Sequence, residues 1–200
     1  MGKLDSVTDD RVDAFVSAVN YSPREPRFLE DIPAKCVLSE SEWPESFHWR
    51  VVASDGASWL AEVERQLPFP LPPTVRSLIS RYLFPSFDAG PLMFFSVGCD
   101  ADRLREFRWA ICGDRHMSPF LLKNGFVQFA RPAGGSYDPV CFDFRGSRRN
   151  REPSVVRIDH EEILCNERLR ILETLAPGLD VLLDETTKQL RSATVGKPSA

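Results

Sequence analysis

Two short amphipathic stripes separated by a run of prolines constrain the fold of this chain more than any other feature. The first stripe begins at Trp59 and predicts a helix that ends before Pro68, because proline lacks an amide proton and clashes with the preceding turn. The second stripe follows Pro72 and Pro73, which favour the first turn of a helix. Its apolar residues have the spacing of a core-facing helix: Val75, Leu78, Ile79, Tyr82 and Leu83. The opposite face should be exposed: Arg76, Ser77, Ser80 and Arg81.

The segments on either side of these stripes predict helices at both ends of the chain. Thr8 or Asp9 can cap a first helix with a buried apolar stripe. Residues 21–44 contain four prolines and are expected to be irregular. Residues 163–175 and 179–190 have apolar spacings typical of helices, with a Pro-Gly break between them.

The middle of the chain predicts β-structure. Residues 47–51 alternate and should form a strand with one aromatic face, and residues 92–97 form the apolar run of a buried strand. Three further runs are closely spaced and joined by turn-forming residues, which predicts an antiparallel meander: residues 126–130, 139–144 and 154–158. N-terminal helices packed on a central antiparallel sheet, with a closing C-terminal helix, place the chain in the α+β class.

Composition limits the class of protein. The 42% hydrophobic content allows a real core, and the net charge is −4. Residues 1–67 carry 13 acidic and 7 basic side chains, a balance of −6, whereas residues 68–200 carry 16 and 18, a balance of +2. An acidic front fits either steering of a basic partner or ordinary surface solvation.

Cysteine usage and the absence of leader features indicate a cytoplasmic protein. The first residues lack the regions of a signal peptide, and no apolar run approaches the roughly 18 residues that a membrane helix needs. The cysteines are odd in number and form no CxxC pair, so we expect buried free thiols rather than disulfides or zinc ligands. They are Cys36, Cys99, Cys112, Cys141 and Cys165.

The order of several loose motifs carries a family resemblance. A helix with an aromatic and a glutamate precedes a leucine-proline step, a second helix, and a meander with an aspartate turn and a Pro-Val…His step. The residues concerned are Trp59, Glu64, Leu71, Pro72, Asp138, Pro153, Val155 and His160. This order resembles the SUKH superfamily, mainly bacterial toxin-immunity proteins with cell-wall regulators in fungi. The match spans about residues 59–190, with a longer connection at 85–90 and a segment at 93–117 that looks inserted.

The resemblance implies a protein-binding module rather than an enzyme. The expected function is to bind and neutralise a cognate bacterial toxin domain, and the alternative is a regulatory scaffold of the same fold with a cellular partner. It also implies a division of the chain. Residues 1–54 would form an N-terminal extension of helix, irregular segment and strand packed on the core, residues 55–191 the SUKH-like domain, and residues 192–200 a flexible tail.

One run of titratable residues suggests a more distant alternative, a hydrolase or nuclease. Asp159, His160, Glu161 and Glu162 are consecutive. Adjacent side chains on a strand or helix point in different directions, so the four cannot easily converge on one ion. Acidic residues are favoured in the first turn of a helix, and we therefore predict a helix start here. No catalytic residue, metal ligand or cofactor site is predicted.

The basic run from Arg145 to Arg151 is a candidate contact loop. Its arginines could neutralise phosphates, but no aromatic residues are interleaved with them and the chain is acidic overall, so specific nucleic-acid binding is not expected. A solvated hairpin tip and a protein-contact loop both remain open. The residues concerned are Arg145, Arg148, Arg149 and Arg151.

Overall fold

The computed structural model describes residues 3–54, 60–98, 105–146 and 152–195. The helices are α1 (Lys3–Tyr21), α2 (Leu60–Arg65), α3 (Pro73–Arg81), α4 (Arg105–Arg108), α5 (Met117–Lys123), α6 (His160–Asn166) and α7 (Leu179–Val195), and a π-helical turn, Trp109–Gly113, follows α4. The strands are β1 (Arg27–Phe28), β2 (Val37–Glu40), β3 (Ser46–Trp49), β4 (Val52–Ala53), β5 (Tyr82–Leu83), β6 (Phe87–Ala89), β7 (Leu92–Phe94), β8 (Phe126–Pro132), β9 (Val140–Asp143), β10 (Ser154–Ile158) and β11 (Ile171–Ala176). These elements form an α+β fold.

A six-stranded antiparallel sheet organises the molecule. Its strand order is β11-β10-β9-β8-β7-β6, so each strand pairs with its neighbours along the chain. The predicted meander is confirmed, because β9 pairs with β8 and with β10 in antiparallel register. The predicted strand at 92–97 is shorter: it ends at Phe94, and Val97 forms an isolated bridge with Phe84.

Apolar side chains cover both faces of this sheet. Successive residues of a strand point to opposite faces. Val140 and Phe142 of β9 therefore enter a large cluster with α1, α3 and α7, while Cys141 enters a smaller one with α5 and α6. The Phe129 and Phe142 rings stack with centroids 4.0 Å apart in the large cluster.

Helix α1 begins earlier than predicted and packs on α3. Thr8 and Asp9, the predicted caps, lie inside the helix, which starts at Lys3. The Ser77 hydroxyl donates to Asp9 Oδ1 at 2.6 Å. The prediction that Ser77 faces solvent is therefore wrong, because α1 covers that side of α3. The predicted stripe of α1 is buried: Val12, Phe15, Val16 and Val19.

Three further predictions are corrected. Helix α3 ends at Arg81, and Tyr82–Leu83 form β5, because pairing with β4 satisfies their backbone groups. In the 163–175 segment, Glu167 adopts a left-handed conformation that ends α6, and Ile171–Ala176 form a strand on β10. Residues 21–44 are not wholly irregular: β1 and β2 flank β3 in a three-stranded sheet.

Other expectations can be compared directly with the described residues. None of the helices in these ranges is long and apolar enough to cross a membrane. Cys36 and Cys141 are buried free thiols as predicted, Cys112 is partly buried, and Cys165 is exposed, contrary to the expectation. Cys99 lies outside the described residues.

Candidate functional site

Several of the residues that carry the family resemblance hold the fold together. Glu64 Oε1 lies 2.9 Å from Arg76 Nε and ties α2 to α3. Leu71 is buried, and Pro72 occupies the N-cap position of α3. Trp59 lies outside the described residues. Pro153 and Val155 are also buried, at the end of the sheet where β10 begins.

Asp138 is the centre of a polar cluster at the end of the large sheet where β9 begins and β10 ends. Asp138 is only 6% exposed. Oδ2 accepts hydrogen bonds from Arg157 Nε at 2.8 Å and Nη2 at 2.7 Å, and from the Ser136 hydroxyl at 2.9 Å. Oδ1 accepts from the His160 backbone amide at 3.2 Å and lies 2.7 Å from His160 Nδ1. The carboxylate thus joins the loop before β9 to β10 and to α6.

The local sequence explains how His160 reaches this carboxylate. Asp159 caps α6, since its Oδ1 accepts from the amides of Glu161 and Glu162 at 3.0 and 3.1 Å. The predicted helix start is confirmed. His160 is therefore the first residue of α6, next to the end of β10, and its ring turns toward Asp138.

The structure brings together a group that sequence reasoning missed. One ligand atom from each of Asp138, Asp159 and His160 can lie within 4.8 Å of the others. Both carboxylates already have cationic neighbours: Asp138 binds Arg157, and Asp159 Oδ2 lies 3.6 Å from Arg170 Nη1. A metal ion held by Asp138 Oδ1 and His160 Nδ1 would replace the contact between these two atoms and share both carboxylates with the arginines. The same residues link the loop before β9 to β10 and α6, so the geometry fits a structural joint and is also close enough to hold an ion.

The same contacts bear on acid–base chemistry. An aspartate bound to Nδ1 orients a histidine, and in a catalytic triad Nε2 then contacts the nucleophile. Here the nearby hydroxyl of Ser136 donates to Asp138 instead. Within the described ranges, no hydroxyl or thiol is bonded to His160 Nε2. Asp138 thus orients the imidazole, and the part of the chain that the structure describes brings no hydroxyl or thiol to its other nitrogen.

Acid should weaken the protein through Asp138. Burial alone raises its pKa, but the hydrogen bonds from His160, Arg157 and Ser136 outweigh burial and lower the pKa to about 2 from 3.8. The unfolded chain binds this proton more readily, so the stabilisation is complete above about pH 4 and is lost as pH falls through about 2. The shift corresponds to about 2 kcal/mol.

Urea unfolding between pH 6 and pH 2 measures this contribution. The difference in stability between the native protein and Asp138→Asn should shrink by about 2 kcal/mol across the acid window. A difference that does not change with pH would contradict the assigned pKa shift.

The predicted arginine contact loop is only partly described. Arg145 Nη2 lies 2.7 Å from Asp143 Oδ2, and its guanidinium lies 4.4 Å from the centroid of the Phe126 ring. Arg145 is thus already engaged by its own hairpin. Arg148, Arg149 and Arg151 lie outside the described residues.

An exposed tryptophan marks a different candidate interface. Trp43 lies in the turn between β2 and β3 and is 73% exposed. Its amide donates to Ser41 Oγ at 3.1 Å, the Ser46 hydroxyl donates to the Trp43 carbonyl at 2.9 Å, and the two serine hydroxyls lie 2.6 Å apart. The turn is therefore held in one conformation while the indole remains in water.

Other exposed apolar residues and an excess of acidic residues accompany Trp43. Residues 21–45 contain six acidic and three basic residues. Glu42 and Glu45 flank the indole in the chain, and both are exposed. The further exposed apolar residues of this segment are Tyr21, Phe28, Leu29 and Leu38. We call residues 21–45 the Trp43 segment. The prolines of this segment predict an irregular chain. A tryptophan between two glutamates in a serine-bounded turn is the sequence feature that could have indicated an exposed aromatic residue.

Comparison with known proteins adds no family assignment. No protein-family model matches the chain. No curated protein matches it either.

Proposed function

We propose that this chain is a non-enzymatic binding module, an immunity protein of the SUKH type that neutralises a cognate bacterial toxin domain. The observation that carries the proposal is Trp43, presented to solvent on a pinned turn. Tryptophan is enriched among the residues that dominate binding energy at interfaces. A turn that is already ordered also loses little conformational entropy on binding.

Charge supports a basic partner. The Trp43 segment has a net charge of −3, from six acidic and three basic residues, and it belongs to the acidic front of the chain. Acidic side chains around an apolar anchor attract a basic surface and accelerate association.

The first test is co-expression with the product of the adjacent gene. A toxin from the same locus should bind this protein and lose its toxicity. If it does neither, the immunity proposal fails, and a regulatory scaffold of the same fold with a cellular partner becomes the better account.

The second test places the contact. Trp43→Ala should weaken binding to the toxin at least tenfold, mainly through faster dissociation, because a desolvated aromatic anchor is lost. Surface plasmon resonance measures both rates. The matched control is Leu164→Ala, which removes another exposed apolar side chain, 52% exposed, from α6. Equal effects of the two substitutions would argue against the Trp43 segment.

Charge reversal next to Trp43 should change the rate of association with the toxin. Glu42→Lys removes local negative charge without touching the core, and it should slow association at low salt. The effect should fade as salt is added, because exposed charges are screened. An association rate unchanged at low salt would contradict steering by this segment.

A further inference from the structure

A pocket far along the chain from the Trp43 segment contains an arginine that has no carboxylate partner among the described residues. Its volume is about 420 Å³, within the usual range for small-molecule sites. It lies between the β7–β8 end of the sheet and the turn that runs from α4 into the π-helix. The lining residues are Ser86, Met93, Phe95, Arg105, Glu106, Trp109 and Arg131.

Arg131 is the residue of this pocket that has a buried nitrogen without a hydrogen-bond partner in the described part of the chain. It lies opposite Met93 across the β7–β8 ladder. Its guanidinium carbon lies 5.7 Å from the centroid of the Phe95 ring and 5.2 Å from that of Tyr137. Its Nε is buried without a hydrogen-bond partner, and no carboxylate pairs with Arg131 among the residues that the structure describes. A buried donor left without an acceptor is unfavourable, and a bound acceptor would relieve that cost.

The neighbouring carboxylate limits the charge that the pocket accepts. Glu106 Oε2 accepts from the Ser86 hydroxyl at 2.7 Å and from the Ser96 amide at 2.9 Å, so this oxygen of the carboxylate already has two donors. Arg131 offers the ligand a single guanidinium, with the Glu106 carboxylate nearby in the same lining. One guanidinium beside a carboxylate favours a monoanion over a dianion such as a phosphate ester.

Trp109 supplies a flat apolar wall. It begins the π-helical turn, and π-turns occur frequently at functional sites. Gly113 leaves room for the indole, because a Cβ on this glycine would lie 2.8 Å from Trp109 Cδ1. Met93 and Phe95 add apolar surface on the sheet side of the pocket.

From this arrangement we propose that the pocket binds an aromatic carboxylate, with the carboxylate paired to Arg131 and the ring against Trp109. Arginine binds carboxylates through two parallel hydrogen bonds, which matches an Nε that lacks an acceptor. The ligand is either a free small molecule or the C-terminal aromatic residue of a peptide, since the two share this chemistry. The proposal does not depend on toxin binding at the Trp43 segment.

Calorimetric titration of the full chain with 3-phenylpropionate tests the proposal, and 3-phenylpropionamide is the neutral control. The acid should bind with saturation and at least tenfold more tightly than the amide, and the Arg131 Nε–H resonance should shift in an NMR titration. Inorganic phosphate should bind more weakly than the acid. Equal binding of acid and amide, tighter binding of phosphate, or no saturable binding at millimolar acid would overturn the proposal.

Two variants locate the ligand, and one controls for them. Arg131→Met keeps an apolar stem beside Phe95 and should weaken binding of the acid at least tenfold, and Trp109→Ala, an exposed site that does not threaten folding, should also weaken it. Arg145→Met removes another ring-stacked arginine outside the pocket and should leave affinity unchanged. Retained affinity in both pocket variants would overturn the assignment.

A last comparison identifies the source of the carboxylate. The tripeptide Gly-Gly-Phe is titrated with a free C-terminus and with an amidated one. Tighter binding of the free peptide than of 3-phenylpropionate supports the terminus of a protein chain. Weaker binding than 3-phenylpropionate supports a small molecule, and either result requires that the amidated peptide bind at least tenfold more weakly than the free one.

Discussion

Leu78→Asp should unfold the protein. Leu78 is 1% exposed and lies in the large cluster between α3 and the sheet. Removing the buried leucine side chain costs about 2–5 kcal/mol, and burying an unpaired carboxylate adds a further penalty of similar size. A domain is stable by only roughly 5–15 kcal/mol, so most or all of the stability should be lost. Circular dichroism on heating should show no cooperative transition.

The matched control is on the same helix. Arg76→Ala removes the ion pair with Glu64, and the arginine side chain is 51% exposed. Exposed ion pairs contribute little, so the expected loss is about 0.5 kcal/mol. A Leu78→Asp variant that melts like the control would show that α3 does not pack by this face.

Asp138→Ala should have the next largest effect on stability, a loss of about 3 kcal/mol. The substitution removes the acceptor of two hydrogen bonds from Arg157 and of one from the Ser136 hydroxyl. It also removes the contacts of the carboxylate with the His160 amide and imidazole. Arg157 keeps one contact, with Glu173 at 3.3 Å, but it loses its buried partner. Urea unfolding at pH 7 measures the loss as a lower midpoint with an unchanged slope.

Asp184→Ala is the comparison for an aspartate that is also paired with arginine. Asp184 is half-exposed, and Arg11 still has Asp180 at 3.0 Å after the substitution. The expected loss is about 0.5 kcal/mol. If the two aspartate variants lose the same amount, the Asp138 cluster is not the joint that its contacts indicate.

Local pattern predicted most of the helices and the meander. In α3, the spacing of Val75, Leu78 and Ile79 identified the buried face, because 3.6-residue periodicity acts within a few turns of one segment. The helical spacing wrongly placed Tyr82 in α3. Its backbone pairs with Ala53 in a strand, and its hydroxyl donates to Asp13 Oδ1 at 2.5 Å. Both partners come from distant parts of the chain, so no local pattern could show them.

The candidate sites were less accessible to sequence reasoning. His160 was recognised as part of a titratable run, but its partner Asp138 is 22 residues away and Arg157 belongs to a strand. The exposure of Trp43 depends on what the rest of the fold leaves uncovered. Likewise, Arg131 lies in a strand with the apolar appearance of a core element, and only packing shows that its Nε has no acceptor.

The α+β class, the proline-bounded start of α3, the meander β8–β10 and the start of α6 could be predicted from the sequence, since apolar periodicity, proline geometry and the preference for acidic residues in the first turn of a helix all act within a few residues. That Ile171–Ala176 form a strand rather than a helix depends on pairing with β10, where their hydrogen bonds go. Long-range packing likewise sets which polar groups meet and which side chains stay in water. These outcomes depend on contacts between segments far apart in the chain, whose burial and hydrogen bonds outweigh weak local preferences.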